Sequence, residues 1–216
     1  MQSHFKTEYS FFPHYDGGLR LKICQLGEMV LRQKARTLSR EEILGSDIQR
    51  LIEYMRETMR DAPGVGLAAP QVGLSLQIAV IEDAPSYIEK MPPGQAEERG
   101  RVPVPFHVVI NPKLTLREGP PVEFFEGCLS LAGFSAVVPR APAVHVDALN
   151  EKAEPISIDA SGWYARILQH EIDHLNGIVY VDRMRSRTLM SIDNHARYWK
   201  DLPTAEILNR LGSHDA

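Results

Sequence analysis

Cysteine and tryptophan are scarce in this chain, with two of each among 216 residues. Cys24 and Cys128 allow one disulfide at most, which excludes a disulfide-stapled secreted scaffold. No apolar run approaches ~18 residues, so no membrane-spanning helix is expected. A charge bias is missing too. The formal net charge is −4, without the basic excess that marks specific nucleic-acid binding. Internal repeats and low-complexity tracts are absent. The opening "MQSHFKTEYSFFPHYDGG" has no charged n-region followed by an apolar h-region, so no secretory signal is expected. It is also not the Arg/Ser-rich, acid-poor helix of an organelle transit peptide, although a processed form would have lost one. A reduced setting follows, with the bacterial cytoplasm as first choice and a processed mitochondrial or plastid protein as the alternative.

What is present is a core. Hydrophobic residues make up 44% and charged residues 24%, which suits one packed globular domain over 1–216. Residues 1–20 read as an irregular arm. "SDIQRLIEYMRETMRDAPG" places Ile48, Leu51, Ile52, Met55 and Met59 on one helical face. Ser46 or Asp47 is positioned to cap it, and Pro63-Gly64 stops it. "LQIAVIE" (76–82) reads as a buried strand. Pro85, Pro92, Pro93, Gly94, Pro103 and Pro105 in 83–106 predict a long loop. Strands are predicted at 107–111, 122–126, 134–139, 143–149 and 155–160. Ser161-Gly162 then opens a helix through Leu175, ended by Gly177. A last long helix is predicted over 186–199 and a short one over 203–211, a C-terminal helical segment of 186–211. Strands gathered ahead of one helix indicate an α+β fold.

That helix carries "LQHEIDHLNG" (168–177). Residues i and i+4 share a helical face, so His170 and His174 can both turn an imidazole toward one ion. Glu171 projects roughly 100° away. It is better placed to reach a metal-activated water than to ligate. This is the HExxH arrangement of two ligands and a general base. An accidental order of polar residues on a surface helix is the competing reading. Ile167, Leu168, Ile172 and Leu175 argue against it, because they make the helix partly buried, and buried His and Glu need partners.

A third ligand is needed. Metzincin proteases place a His six residues after the second; here that position is Tyr180. Thermolysin-like proteases use a downstream Glu; the only one after Glu171 is Glu206, near the C-terminus. Cys128, in "FFEGCLSLAGF", is the better candidate. A thiolate and two neutral imidazoles make a tetrahedral site with one open position, and an ion there lowers the pKa of water toward neutrality. By itself Cys128 would equally be a small buried hydrophobe.

"GVGLAAPQVG" (64–73), "EGCLS" (126–130) and "QHEIDHLNG" (169–177) are together similar to the three signature motifs of peptide deformylases, in the family's order. "ASGWYARILQHE", "AGFSAVVPR" and the long loop at 83–106 resemble the subgroup that includes organelle deformylases of plants and animals. The resemblance implies short antiparallel strands wrapped around a central metal-binding helix. It implies removal of the formyl group from N-formylmethionyl peptides as they leave the ribosome. The implied cofactor is one divalent ion, Fe2+, with Ni2+, Co2+ or Zn2+ as substitutes. Cys128, His170 and His174 would hold it, and Glu171 would shuttle protons. Gln71, through its amide, and Leu129, through its backbone N–H, would donate to the developing oxyanion. Glu126 would secure the metal loop. The implied substrate contacts are Gly64, Val65, Gly66, Phe124, Glu126, Gly127, Trp163, Arg166 and Ile167. Trp163 and Arg166 depart from the smaller aliphatic residues of many bacterial members. They would narrow the pocket or shift residue preference downstream of methionine, with core packing the equal alternative for Trp163.

Two other functions stay in view: a metalloendopeptidase, disfavoured by Tyr180, and a silent relative that only binds peptides, disfavoured by the intact Gln71, Cys128, His170, Glu171 and His174. Oligomeric state is not readable from these residues. Arg183, Arg185, Arg187, Arg197 and Lys200 against Asp182 and Asp193 would let the C-terminal segment meet ribosomal RNA, but charge runs more often form a solvated face.

Overall fold

The computed structural model describes His14, Tyr15 and residues 18–212. The arm expected over 1–20 therefore lies mostly outside the described residues. Helix α1 spans Ser46–Asp61 and is followed by strand β1 at Gly66–Ala68 and β2 at Ile78–Asp83. Then come β3 (Val104–Leu116), β4 (Val122–Cys128), β5 (Leu131–Arg140), β6 (Ala143–Leu149) and β7 (Pro155–Ser161). Helix α2 covers Gly162–Leu175, β8 covers Met190–Ser191 and α3 covers Thr204–Leu211.

Five strands form one antiparallel sheet in the order β1-β2-β3-β6-β7, and a second sheet has the order β8-β5-β4. Alternation along β2 and β3 gives each face of the larger sheet its own core. Ile78, Val80, Val108 and Ile110 pack with Ile48, Leu51, Ile52, Met55 and Met59 of α1. Ile81, Val109, Val144 and Val146 pack with Ala165, Ile167, Leu168 and Ile172 of α2. Burying each such side chain contributes about 1.5–3 kcal/mol. Helix α2 thus runs between the larger sheet and the smaller one, where Arg140 of β5 reaches its Asp173. No described helix is long and apolar enough to cross a membrane.

The structure departs from the expected elements at three places. Neither Ser46 nor Asp47 caps α1. Its N-cap is Gly45, and Asp47 pairs with Arg50 instead. The capping box belongs to a separate short helix ahead of it, Arg40–Leu44, where Ser39 and Glu42 bond each other's backbone N–H. The Pro-rich 83–106 segment is not all loop. It holds single turns at Pro85–Ile88 and Gln95–Glu98, and β3 already starts at Val104. Pro105 is tolerated there because the β2–β3 register shifts between Ile81 and Asp83, where no ladder N–H is required. The long helix expected over 186–199 is broken into a turn at Ser186–Thr188, the strand β8, and helical turns over Ile192–Trp199. Side-chain hydroxyls break it: Thr188 Oγ1 accepts from Val137 N at 2.8 Å, and Ser191 Oγ accepts from Asn194 N at 3.2 Å.

Candidate active site

Helix α2 brings the two histidines to the site, and the β4–β5 hairpin brings the cysteine. β4 ends at Cys128, where the register shifts between Gly127 and Cys128 and the turn follows at once. Cys128 Sγ lies 3.2 Å from His174 Nε2, and the ligand atoms of Cys128, His170 and His174 lie within 4.8 Å of one another. Both cysteines are free, as the sequence suggested.

A buried charge network stands behind this trio. His170 Nδ1 is 2.9 Å from Glu126 Oε2. Arg140 donates to both Glu126 oxygens at 2.9 Å, and Arg166 Nη1 donates to Glu126 Oε1 at 2.7 Å. Arg140 also bonds Asp173, which Arg183 grips at 2.7 and 2.8 Å. Burial alone would raise the Glu126 carboxyl, but His170 and Arg140 outweigh it and hold it far below the usual carboxylate range. Burial opposes charge on both imidazoles. Cys128 and Glu126 override it at His170 and raise that group, whereas His170 and Arg140 add to it and lower His174. A carboxylate bonded to Nδ1 fixes the ring and leaves Nε2 to face an ion.

Glu171 is buried beside these ligands, and desolvation pushes its carboxyl up to about 7. Its Oε2 has no hydrogen-bond partner. Gly66 of β1 lies against it so closely that a Cβ there would sit 2.2 Å from Glu171 Oε1. Gln71 comes from a tight turn at Ala69–Val72 that is wholly buried and closed by Gly73 at a φ of 85°, a conformation favouring glycine. Gln71 Oε1 accepts from Ala68 N at 2.8 Å. Nε2 is thereby aimed at the cysteine turn, 3.5 Å from Cys128 Sγ and 3.4 Å from Ser130 Oγ. Gln25 Nε2 donates to the Leu129 carbonyl at 3.0 Å, tying that turn to the segment after Leu21.

Three donors of borderline softness, convergent and largely buried, with one imidazole oriented from behind, fit a single divalent ion. A cavity of about 460 Å³ opens beside them. Gly64, Val65, Gly66, Gln71, Glu126, Gly127, Leu129, Trp163, Arg166, Ile167, His170 and Glu171 line it, as does Cys128. His174 is buried behind them, 1% exposed.

Phe124 is not on this wall. It is buried with its ring 6.3 Å from that of Trp163, and its neighbour Phe125 lines the cavity instead. Alternation along β4 would have offered Phe125 as the companion of Gly127. Glu126 and Arg166 touch the cavity but spend their polar atoms on the network. Arg166 also donates to the Val138 and Val122 carbonyls at 2.8 and 2.6 Å. Further wall residues escaped the sequence reading, among them Phe134, Ile192 and Arg101. Ile192 was hidden in a supposed long helix. Arg101 sits in the Pro-rich segment, where no motif pointed to it.

Comparison with known proteins shows the family of the chain. The family model "Polypeptide deformylase" matches residues 20–189. The chain is 46% identical over 190 residues to peptide deformylase 1A, chloroplastic, of Solanum lycopersicum, covering 88% of this chain and 67% of that one. It is 40% identical over 177 residues to the mitochondrial peptide deformylase of Homo sapiens, covering 82% and 71%. Its fold is similar to a class I type b peptide deformylase from Acinetobacter baumannii solved with Met-Ala-Ser bound. The TM-score is 0.68 at 30% identity, over 77% of this chain and 99% of that one. The chain belongs to the peptide deformylase family.

Proposed function

We propose that Cys128, His170 and His174 hold one divalent ion, Fe2+ in the cell and replaceable by Ni2+, Co2+ or Zn2+, and that Glu171 and Gln71 work beside it. The enzyme is a hydrolase that removes the N-formyl group from N-formylmethionyl peptides and releases formate. The observation that supports this arrangement best is the convergence of the three ligand atoms within 4.8 Å of one another. Glu171 lies next to them, and Gln71 Nε2 is 3.5 Å from the Cys128 sulfur.

An ion in this site supplies Lewis acidity, which polarises the formyl carbonyl and makes water a nucleophile near neutral pH. The chain's own groups do the rest. Glu171 takes the proton of the attacking water at Oε2 and delivers it to the leaving amine nitrogen, a base that turns acid. Its raised carboxyl suits both halves of that cycle. Gln71 Nε2 and the Leu129 backbone N–H donate to the oxygen that gains charge as the formyl carbon becomes tetrahedral. The Ala68 N–H fixes Gln71 before substrate arrives, so little reorganisation is left for the reaction. Glu126, Arg140 and Arg166 hold the His170 ring and thereby its Nε2.

β1 is an edge strand of the larger sheet. A peptide laid along Gly64–Ala68 gains main-chain hydrogen bonds there while its methionine side chain enters between Val65, Trp163 and Ile167. Gly66 keeps that approach free of a side chain. The basic residues of the C-terminal segment are the surface for a ribosomal contact near the tunnel exit. Arg187, Arg197 and Lys200 are exposed there, while Arg183 is paired with Asp173 and Arg185 with Glu123. The compartment is taken as the bacterial cytoplasm, with a processed organelle form as the alternative that the plant and human relatives support.

The test is formate release from formyl-Met-Ala-Ser by protein purified anaerobically and loaded with Fe2+ or Ni2+, beside Glu171→Ala. Release by the wild type and its loss in the variant are expected. A folded, metal-loaded wild type that releases no formate would sink the assignment.

A further inference from the structure

The cavity wall includes the ligands Cys128 and His170 and, from the 84–103 segment, Arg101. Along α2 the seven residues from His170 back to Trp163 span about 10 Å at 1.5 Å per residue. At the Trp163 end the charged side chain contributed by that segment to the cavity is Arg101. We propose that Arg101 closes the far end of the substrate pocket and sets the length of the side chain it accepts. The proposal rests on the deformylase reading of the site and deepens it.

Arg101 is held as a fixed wall. Its Nε and Nη2 donate to the two oxygens of Asp83 at 2.7 and 2.8 Å, and its Nη1 lies 3.6 Å from Met91 Sδ. The Asp83 side chain is 1% exposed and that of Arg101 only 12%. A bidentate pair removes the rotamer freedom that usually lets an arginine swing aside. The guanidinium also lies 5.4 Å from the centre of the Trp163 ring, whose indole forms the adjoining wall. Arg99 and Arg166 guanidinium groups stand 5.1 and 5.8 Å from the same ring centre, so the indole is clamped as well.

The segment is docked by backbone contact. Trp163 N donates to the Gly100 carbonyl, and a Cβ on Gly162 would come within 2.5 Å of that oxygen. Gly162 has a φ of 60° and Gly100 one of 55°. The two glycines let the segment lie directly on the first turn of α2, and that contact fixes where Arg101 stands. The end wall is thus built from a region outside the three motifs, while the chemistry at the opposite end is built from the motifs alone.

An end wall that cannot move discriminates by length. One methylene too many in a closed apolar pocket costs roughly 10–200-fold in kcat/KM. Removing the wall lifts that penalty for longer side chains and gives nothing to methionine itself. A purely structural Asp83–Arg101 pair would instead lower every substrate alike, through lost stability.

The experiment measures kcat/KM for formate release from formyl-X-Ala-Ser, with X methionine, ethionine or S-propyl-homocysteine. Wild type, Arg101→Ala and the double variant Asp83→Asn/Arg101→Ala are compared, all loaded with Ni2+. The double variant leaves no unpaired carboxylate and covers the case where the single variant does not fold. The wild type is expected to fall steeply beyond methionine. In either variant the ratio of the longer substrates to methionine should rise by roughly tenfold or more. Ratios that stay at the wild-type values in a folded variant would overturn the role of Arg101 while leaving the deformylase reading intact. No formate from the wild type with any peptide would overturn that reading and this proposal with it.

Discussion

At the scale of single residues, the site is governed by how closely backbone can approach acid. Gly66 has no left-handed φ to explain it; the Glu171 carboxylate does, because a methyl group would meet Oε1 at 2.2 Å. In Gly66→Ala either β1 retreats or Glu171 turns away from the ligands. Loss of a positioned acid–base group costs about 10²–10⁴-fold in rate, so kcat for formyl-Met-Ala-Ser should fall by at least 10²-fold. Stability should fall as well, by about 1–3 kcal/mol, since the methyl overpacks a buried contact, so kcat is compared on folded protein. A variant that keeps wild-type kcat would show that Glu171 does not need its present position. The five residues of the motifs were legible because their chemistry demands particular side chains at particular spacings. Glu126 was legible only as a name in a motif. Its bonds to His170 and Arg166 reach α2 and its bond to Arg140 reaches β5, and nothing in the spacing of 126, 140, 166 and 170 announces them.

At the scale of elements, the periodic ones were readable and the punctuated ones were not. α1 and α2 carry uninterrupted apolar faces, and both came out with their expected bounds. The supposed helix over 186–199 failed because Thr188 and Ser191 spend their hydroxyls on backbone N–H groups, a choice that pattern alone does not reveal. A cross-element pair gives a pH prediction. His107 of β3 lies between the Pro105 carbonyl and the Tyr164 hydroxyl of α2, each at 2.9 Å. The carbonyl can only accept, so Nδ1 carries the proton and Nε2 accepts from Tyr164, which is the neutral ring. Burial lowers His107 below the usual imidazole value, against small opposing effects of Pro105 and Glu151. The unfolded chain therefore binds a proton at a higher pH than the folded one. Stability from this group is full above the ordinary imidazole pKa and drains as pH falls through it toward the lower folded value. The slope is at most about 1.4 kcal/mol per pH unit. Urea unfolding of wild type and His107→Gln at pH 7.5, 6.5 and 5.5 should show the wild type losing more over that range. Parallel losses would remove the assignment of a neutral His107.

For the molecule as a whole, the site is also a joint between two sheets. Cys128 belongs to the three-stranded sheet, while His170 and His174 belong to a helix whose core is shared with the five-stranded one. Arg140 adds a second tie from β5 through Asp173, and Glu126 a third from β4 to His170. An ion bound by the trio would cross that joint. Binding the folded chain and not the unfolded one, it would stabilise by about 4 kcal/mol at 1,000 times its Kd. Chelation should accordingly lower Tm, and the loss should not be spread evenly. Opening the joint frees the β4–β5 hairpin and the last turns of α2 before it touches α1, whose core lies on the opposite face of the larger sheet. Hydrogen exchange of metal-loaded and chelated protein should show protection lost mainly in 122–140 and 168–177, with 46–61 nearly unchanged. Loss of protection in α1 equal to that in the hairpin would mean that the two layers unfold as one unit, and that the ion stabilises the fold globally rather than by bridging its sheets.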